Sequence, residues 1–170
     1  MSSYELPAGY SFEETEHVTR GQVAVLYYPK FQHWSELQYL VEGYTAVDKK
    51  RELERIHSIY LGVQAPDGGT VGVGCLRYNT EEGELSCLAV MPQHQSLGIG
   101  KWIIAERIRR AQELGLNAVY IDQLAPTNTL ASHYIQEGFL AAIGSEQVTI
   151  FTREQSDRQV PYLSLALNHR

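Results

Sequence analysis

The sequence predicts one domain of α/β or α+β layer architecture, with helices covering a mixed sheet of about seven strands and about four helices in all. Two observations carry that expectation. The chain of 170 residues is 44% apolar and 20% charged, which suits one self-sufficient core and an ordinary globular protein. Its segments run strand, two helices, a three-strand meander, helix, strand, helix and two strands, with no internal repeat, low-complexity tract or linker-like shift in composition. Residues 1–170 are therefore expected as a single domain, with residues 1–20, polar and irregular, as an N-terminal arm.

The elements follow from local pattern. Gln22–Tyr28 is apolar and β-branched and reads as a first strand. Trp34, Leu37, Tyr39, Leu40, Val41 and Tyr44 share a helical face, and Asp48–Ile56 continues in charged, helix-favouring residues. Ile59, Leu61 and Val63 alternate as a strand does, Pro66-Asp67-Gly68-Gly69 makes a turn, and Thr70–Tyr78 is the next strand. Glu81-Glu82-Gly83 turns into Glu84–Val90. Trp102, Ile103, Ile104, Ile108, Ala111 and Leu114 fit a helix that Gly115 ends as a left-handed cap. Ala118–Leu124 is a buried strand, Pro126-Thr127-Asn128 starts a helix that ends at Gly138, and Val148–Thr152 and Val160–Leu167 are the last strands.

Charge and composition remove several function classes. The formal net charge is −6 with no basic stripe, which argues against nucleic acid and for a cationic partner. No basic-then-apolar leader and no run of membrane-spanning length occurs, so neither a membrane nor an export route is expected and the cytoplasm is the default location. Cys75 and Cys87 lie in strand-like runs without a neighbouring Cys or His at ligand spacing, and read as reduced core thiols. No metal is expected.

The chemistry concentrates where the strand Leu85–Val90 passes through Met91-Pro92-Gln93-His94-Gln95-Ser96-Leu97-Gly98-Ile99-Gly100-Lys101 into a helix. A helix start presents free N–H groups and the positive end of the macrodipole, and glycines let a phosphate approach the backbone. Lys101 adds a positive charge in the first turn. A Walker loop fails here, because Gln95 stands at its first glycine and Trp102 at its hydroxyl position. A dinucleotide fingerprint fails too, because Ile103 replaces the third glycine. Gly72-Val73-Gly74 has neither a third glycine nor a following helix, and reads as a bulge or close-packing site.

What remains, Gln95-x-x-Gly98-x-Gly100, resembles the Arg/Gln-x-x-Gly-x-Gly/Ala signature of the GNAT superfamily of N-acetyltransferases. The strand ending Leu88-Ala89-Val90, the nearby Pro92, the helix, the strand Ala118–Leu124, and Tyr134 ahead of Gly138-Phe139 support it over residues 84–140. The resemblance is fair at the final strands and weak before residue 57. Two positions depart from the family: Ser96 replaces a common Gly, and Thr127, not Asn128, lies seven residues before Tyr134.

The resemblance implies an α/β GNAT-like fold and an acyltransferase that moves an acetyl group from acetyl-CoA, its co-substrate, to a primary amine. The acceptor would be a small cationic amine or a protein amine. It implies that Leu88, Ala89 and Val90 line the pantetheine arm, with the Val90 amide stabilising the oxyanion. The amides of Gln95, Ser96, Leu97, Gly98, Ile99, Gly100 and Lys101 would hold the pyrophosphate, with Asn128 (or Thr127) facing the cofactor. Tyr134 matches the family's acid for the leaving thiolate, against the plain alternative of an amphipathic core tyrosine. Glu84 matches a general base that needs burial or a like-charged neighbour; the alternatives are a solvated strand-start residue, a water chain, or an amine that arrives deprotonated. His133 reads as a surface or packing residue and His94 as exposed, Tyr39, Tyr44 and Tyr78 as core residues that would otherwise line an acceptor pocket, and Lys49–Arg55 as a solvated helix face. The family often forms homodimers through its last strands. The alternative function is a catalytically inactive acyl-CoA sensor or regulatory module.

Overall fold

The computed structural model describes residues 4–28, 34–122, 140–141, 147–152 and 155–166. Ser11–Thr15 form β1, which pairs antiparallel with β2 (His57–Gln64). The expected arm therefore contributes an edge strand: its exposed residues gain their order from β2 and not from a pattern of their own. Arg20–Leu26 form helix α1, where a strand was expected. Thr19 decides it, because its Oγ1 accepts from the Gln22 amide at 3.2 Å while Gln22 Oε1 accepts from the Thr19 amide at 3.0 Å. That reciprocal cap satisfies free amides at the helix start and overrides the β-branched composition. Trp34–Leu53 form one long helix, α2.

β2, β3 (Thr70–Tyr78) and β4 (Glu82–Val90) make an antiparallel meander. β2 and β3 are buried along nearly their whole length, because helices cover both faces. On one face α1 and α2 pack Val23 and Leu37 against Tyr60 and Cys75. On the other, α3 (Ile99–Glu113) packs Ile104, Ile108 and Ala111 against Leu76, Leu85 and Val119. Each such side chain, fully buried, contributes about 1.5–3 kcal/mol. Gly115 ends α3 as expected, with φ 75°, and bonds from Leu116 to Ala111 and from Gly115 to Gln112 complete the left-handed cap.

β5 (Ala118–Asp122) pairs parallel with β4, and β6 (Leu140–Ala141), β7 (Gln147–Thr152) and β8 (Gln155–Ala166) complete the sheet. The strand order is β1-β2-β3-β4-β5-β8-β6, with β7 paired to β8. The described residues thus hold eight strands and three α-helices, against about seven and four expected. The expected helix before Gly138 lies outside the described residues.

Candidate acyl-donor site

Two features of β4 open a groove. Its parallel pairing with β5 covers only Glu82–Glu84 against Ala118–Tyr120, so the strand edge from Leu85 to Val90 has no partner among the described residues. The β3–β4 register also shifts between Gly74 and Cys75: Gly74 faces Leu88 and Cys75 faces Ser86, leaving Cys87 as the extra residue of a bulge, with φ 36°. A bulge bends its strand and turns β4 away from β5.

Arg107 holds the bulge in place. It is fully buried on α3, and its Nη1 donates to the carbonyls of Cys75, Ser86 and Cys87 at 3.0, 3.0 and 3.1 Å. Gly74 is the close-packing glycine expected from sequence, since a Cβ there would lie 2.3 Å from Ile103 Cγ2. Arg107 was not foreseen. Its only signal is a position among Ile103, Ile104, Ile108 and Ala111 on the apolar face of α3, where a charge must have buried partners.

The bond pattern fixes which way the backbone of β4 points. The Met91 amide donates to the Val71 carbonyl at 2.8 Å, and Val90 faces Gly72 in the next register position. Bonded and non-bonded pairs alternate along an antiparallel ladder, so Val90, and likewise Leu88 opposite Gly74, turn their N–H and C=O toward the open edge. Ala89 spends its own groups on Val73. Gln95 agrees with this geometry, its Nε2 donating to the Val90 carbonyl at 3.0 Å. That bond clamps the loop against the strand end.

Pro92–His94 form a short 3-10 turn, and Gly98 caps α3 with φ 84° and no side-chain cap. Trp102 is the first amide to reach an intrahelical carbonyl, that of Gly98, at 3.0 Å. The amides of Ile99, Gly100 and Lys101 therefore face outward at the positive end of a 15-residue helix. Among the described residues, a Cβ on Gly98 would meet nothing within 4 Å, and one on Gly100 only Val90 Cγ2 at 3.9 Å. No described residue therefore fills the space before these amides, which is what a diphosphate requires. Ile99 is buried and contributes only backbone, whereas Gln95, Ser96 and Leu97 are exposed. Ser96, at φ 65°, adopts the left-handed conformation that the family's glycine takes without strain.

The remaining candidates divide. Glu84 is half-buried on β4 opposite Arg77, with the guanidiniums of Arg77 and Arg51 among the charged groups that interact with it. Tyr134, Asn128, Thr127 and His133 lie outside the described residues. His94, expected to be exposed, is half-buried, because Tyr10 packs on its ring with Oη 2.8 Å from Nδ1. Tyr39 is 76% exposed and is neither core nor wall. Tyr44 meets Tyr27 through their hydroxyls at 3.2 Å, and burial, reinforced by Tyr27, raises its phenol above the ordinary range. A hydrogen bond with the neighbouring Cys75, and then burial, hold the Cys87 thiol well above its usual value.

A metal was not expected from spacing. The fold does bring one ligand atom each from Glu16, His17 and Glu52 within 4.8 Å of one another. They sit at the end of the sheet opposite the loop, where Glu16 and Glu52 also rim a hollow of about 390 Å³. Exposed acidic groups gather in this way without an ion, and the trio takes no part in the groove.

The model of the acetyltransferase (GNAT) family matches residues 24–139. The chain belongs to the GNAT family. No curated protein matches the sequence. Solved GNAT relatives share the fold at low identity. An acetyltransferase of Bacillus subtilis in complex with CoA is 21% identical, with a TM-score of 0.60 over 94% of this chain and 99% of that one. The ribosomal-protein-S18-alanine N-acetyltransferase of Escherichia coli is 14% identical, with a TM-score of 0.64 over 94% and 96%. A GNAT acetyltransferase of Elizabethkingia anophelis with acetyl-CoA bound is 13% identical, with a TM-score of 0.56 over 95% and 100%. No helix among the described residues is long and apolar enough to cross a membrane.

Proposed function

We propose that this GNAT chain transfers an acetyl group from acetyl-CoA to a primary amine by direct attack. One observation carries the reading: uncapped amides at the start of α3 lie at the carboxyl end of a strand whose outer edge, from Leu85 to Val90, has no strand partner among the described residues. The amides of Ser96–Lys101 take the diphosphate; that of Gln95, expected to join them, already donates to the Pro92 carbonyl at 3.4 Å. Leu88 and Val90 offer backbone groups to the amide-bearing arm, and Ala89 anchors that segment to β3. Asn128 adds a side-chain contact to the donor.

Bound there, acetyl-CoA supplies an activated acyl carbon. The Val90 N–H stabilises charge that develops on the carbonyl oxygen. The amine lone pair forms the C–N bond as the C–S bond breaks, and the electron pair leaves with sulfur, which Tyr134 protonates. With guanidiniums facing it, Glu84 meets the incoming ammonium, while the proton that the amine loses passes to water.

Incubating the protein with acetyl-CoA and pooled primary amines, with free thiol followed over time, tests this. Amine-dependent thiol release is expected, and Tyr134→Phe should lower kcat at least about tenfold with CoA affinity unchanged. Saturable CoA binding without thiol release for any amine would leave the inactive sensor in its place.

A further inference from the structure

On the α1/α2 face of the sheet, one step from the bulge, lies a polar cluster of which the reaction above uses only Glu84. Register places Ser58, Arg77 and Glu84 side by side across β2, β3 and β4. Asp48 of α2 closes over them, its Oδ1 accepting from Ser58 Oγ at 3.1 Å and from Tyr60 Oη at 3.3 Å. Arg51 stands one turn farther along α2 and interacts electrostatically with Arg77, Glu84 and Asp48. In the charged run 49–55 Arg51 is half-buried, whereas Lys49, Lys50, Glu52 and Arg55 are exposed.

Arg77 Nε, Arg51 Nη1 and Asp48 Oδ2 are buried in this cluster and have no hydrogen-bond partner among the described residues. Buried polar atoms are almost always bonded, so these mark bonds that a ligand can complete. Asp48 is held by two hydroxyls and leaves the two guanidinium donors open. Two guanidinium donors match a carboxylate, and Arg is the side chain best shaped to hold one. The remaining free acceptor, with Glu84, matches an ammonium. Ser86 and the bulged Cys87 connect this cluster directly to the open edge at Leu88 and Val90.

We propose that the acceptor is a carboxylate-bearing amine, zwitterionic at neutral pH, whose carboxylate is held by Arg51 and Arg77. This rests on the acetyltransferase reading and narrows its acceptor from cationic amines in general to amino acids and their like. The net charge of −6 does not oppose it, because recognition is set by the local pair of guanidiniums.

The test compares a mixture of L-amino acids with the same mixture as carboxamides, both with acetyl-CoA, by thiol release. Wild type should favour the acids by roughly 10–100-fold in kcat/KM, the range for losing hydrogen bonds to a charged group. Arg77→Gln and Arg51→Gln should each raise KM for the acids and leave the carboxamides and CoA affinity unchanged, with partial rescue by Arg77→Lys. Arg51, on the outer helix, serves where the Arg77 variant fails to fold. Equal rates for acids and carboxamides, or acids unaffected by either variant, would overturn the proposal. If no amine releases thiol, the acetyltransferase reading fails, and calorimetric titration of the amino-acid mixture decides the carboxylate site separately. Binding lost in Arg51→Gln supports it, and no binding to wild type overturns it.

Discussion

Ser96 holds a left-handed backbone, φ 65°, in a loop where Gly98 does the same at φ 84°. For an L residue that conformation is strained by about 1–2 kcal/mol. Ser96→Gly should therefore stabilise the protein by up to about 1 kcal/mol, seen as a Tm higher by roughly 2–4 °C, with CoA affinity retained. A lower Tm would mean that the Ser96 side chain supports the loop. The glycine pattern around this position was legible in sequence, since Gln95, Gly98 and Gly100 each have a local role. The roles of Arg51, Arg77 and Arg107 were not. Each depends on partners from another element, as when Arg107 reaches the carbonyl of Cys75, and no local pattern records such a partner.

At the scale of elements, the bulge in β4 and the start of α3 act together, with Arg107 as the link. Arg107→Met keeps the bulk but leaves three carbonyls without their donor, which should destabilise the fold by at least about 3 kcal/mol. CoA affinity measured well below the melting transition should fall as well, because the open edge depends on the bulge. An unchanged urea midpoint would show that water or backbone shifts replace the guanidinium. The central meander and α3 were legible because their apolar runs and turn residues agree with their final state. The first two elements were not: β1 is polar and exposed and exists only by pairing with β2, while α1 is decided by one Thr–Gln cap inside an otherwise strand-like run. Single-strand patterning also missed that β2 and β3 are covered on both faces.

For the molecule as a whole, burial sets an alkaline limit. Tyr60 and Tyr44 both have phenols raised above the ordinary 10.0, chiefly by burial, and Cys87 is raised above 9.0 by Cys75 and burial. These groups bind protons more tightly folded than unfolded. Their contribution is fully present below about pH 9 and declines as pH rises above the unfolded values. Urea unfolding at pH 8 and pH 10.5 should show a lower midpoint at the higher pH, and Tyr60→Phe should reduce the difference. A midpoint that does not move would contradict the burial of these groups in solution.

The whole arrangement leads to the free amides before α3, and they can be tested with little disturbance of the fold. Asn and Asp are near-isosteric with each other, both tolerate a left-handed backbone, and no described residue lies within 4 Å of the Cβ that Gly98→Asn or Gly98→Asp adds. Calorimetric titration of CoA should show Gly98→Asp binding at least roughly thirtyfold more weakly than Gly98→Asn, since one extra charge beside a diphosphate is worth about 2 kcal/mol or more. Pantetheine, which lacks the diphosphate, should not distinguish the two. Equal CoA affinity in the two variants would place the diphosphate elsewhere and contradict the account.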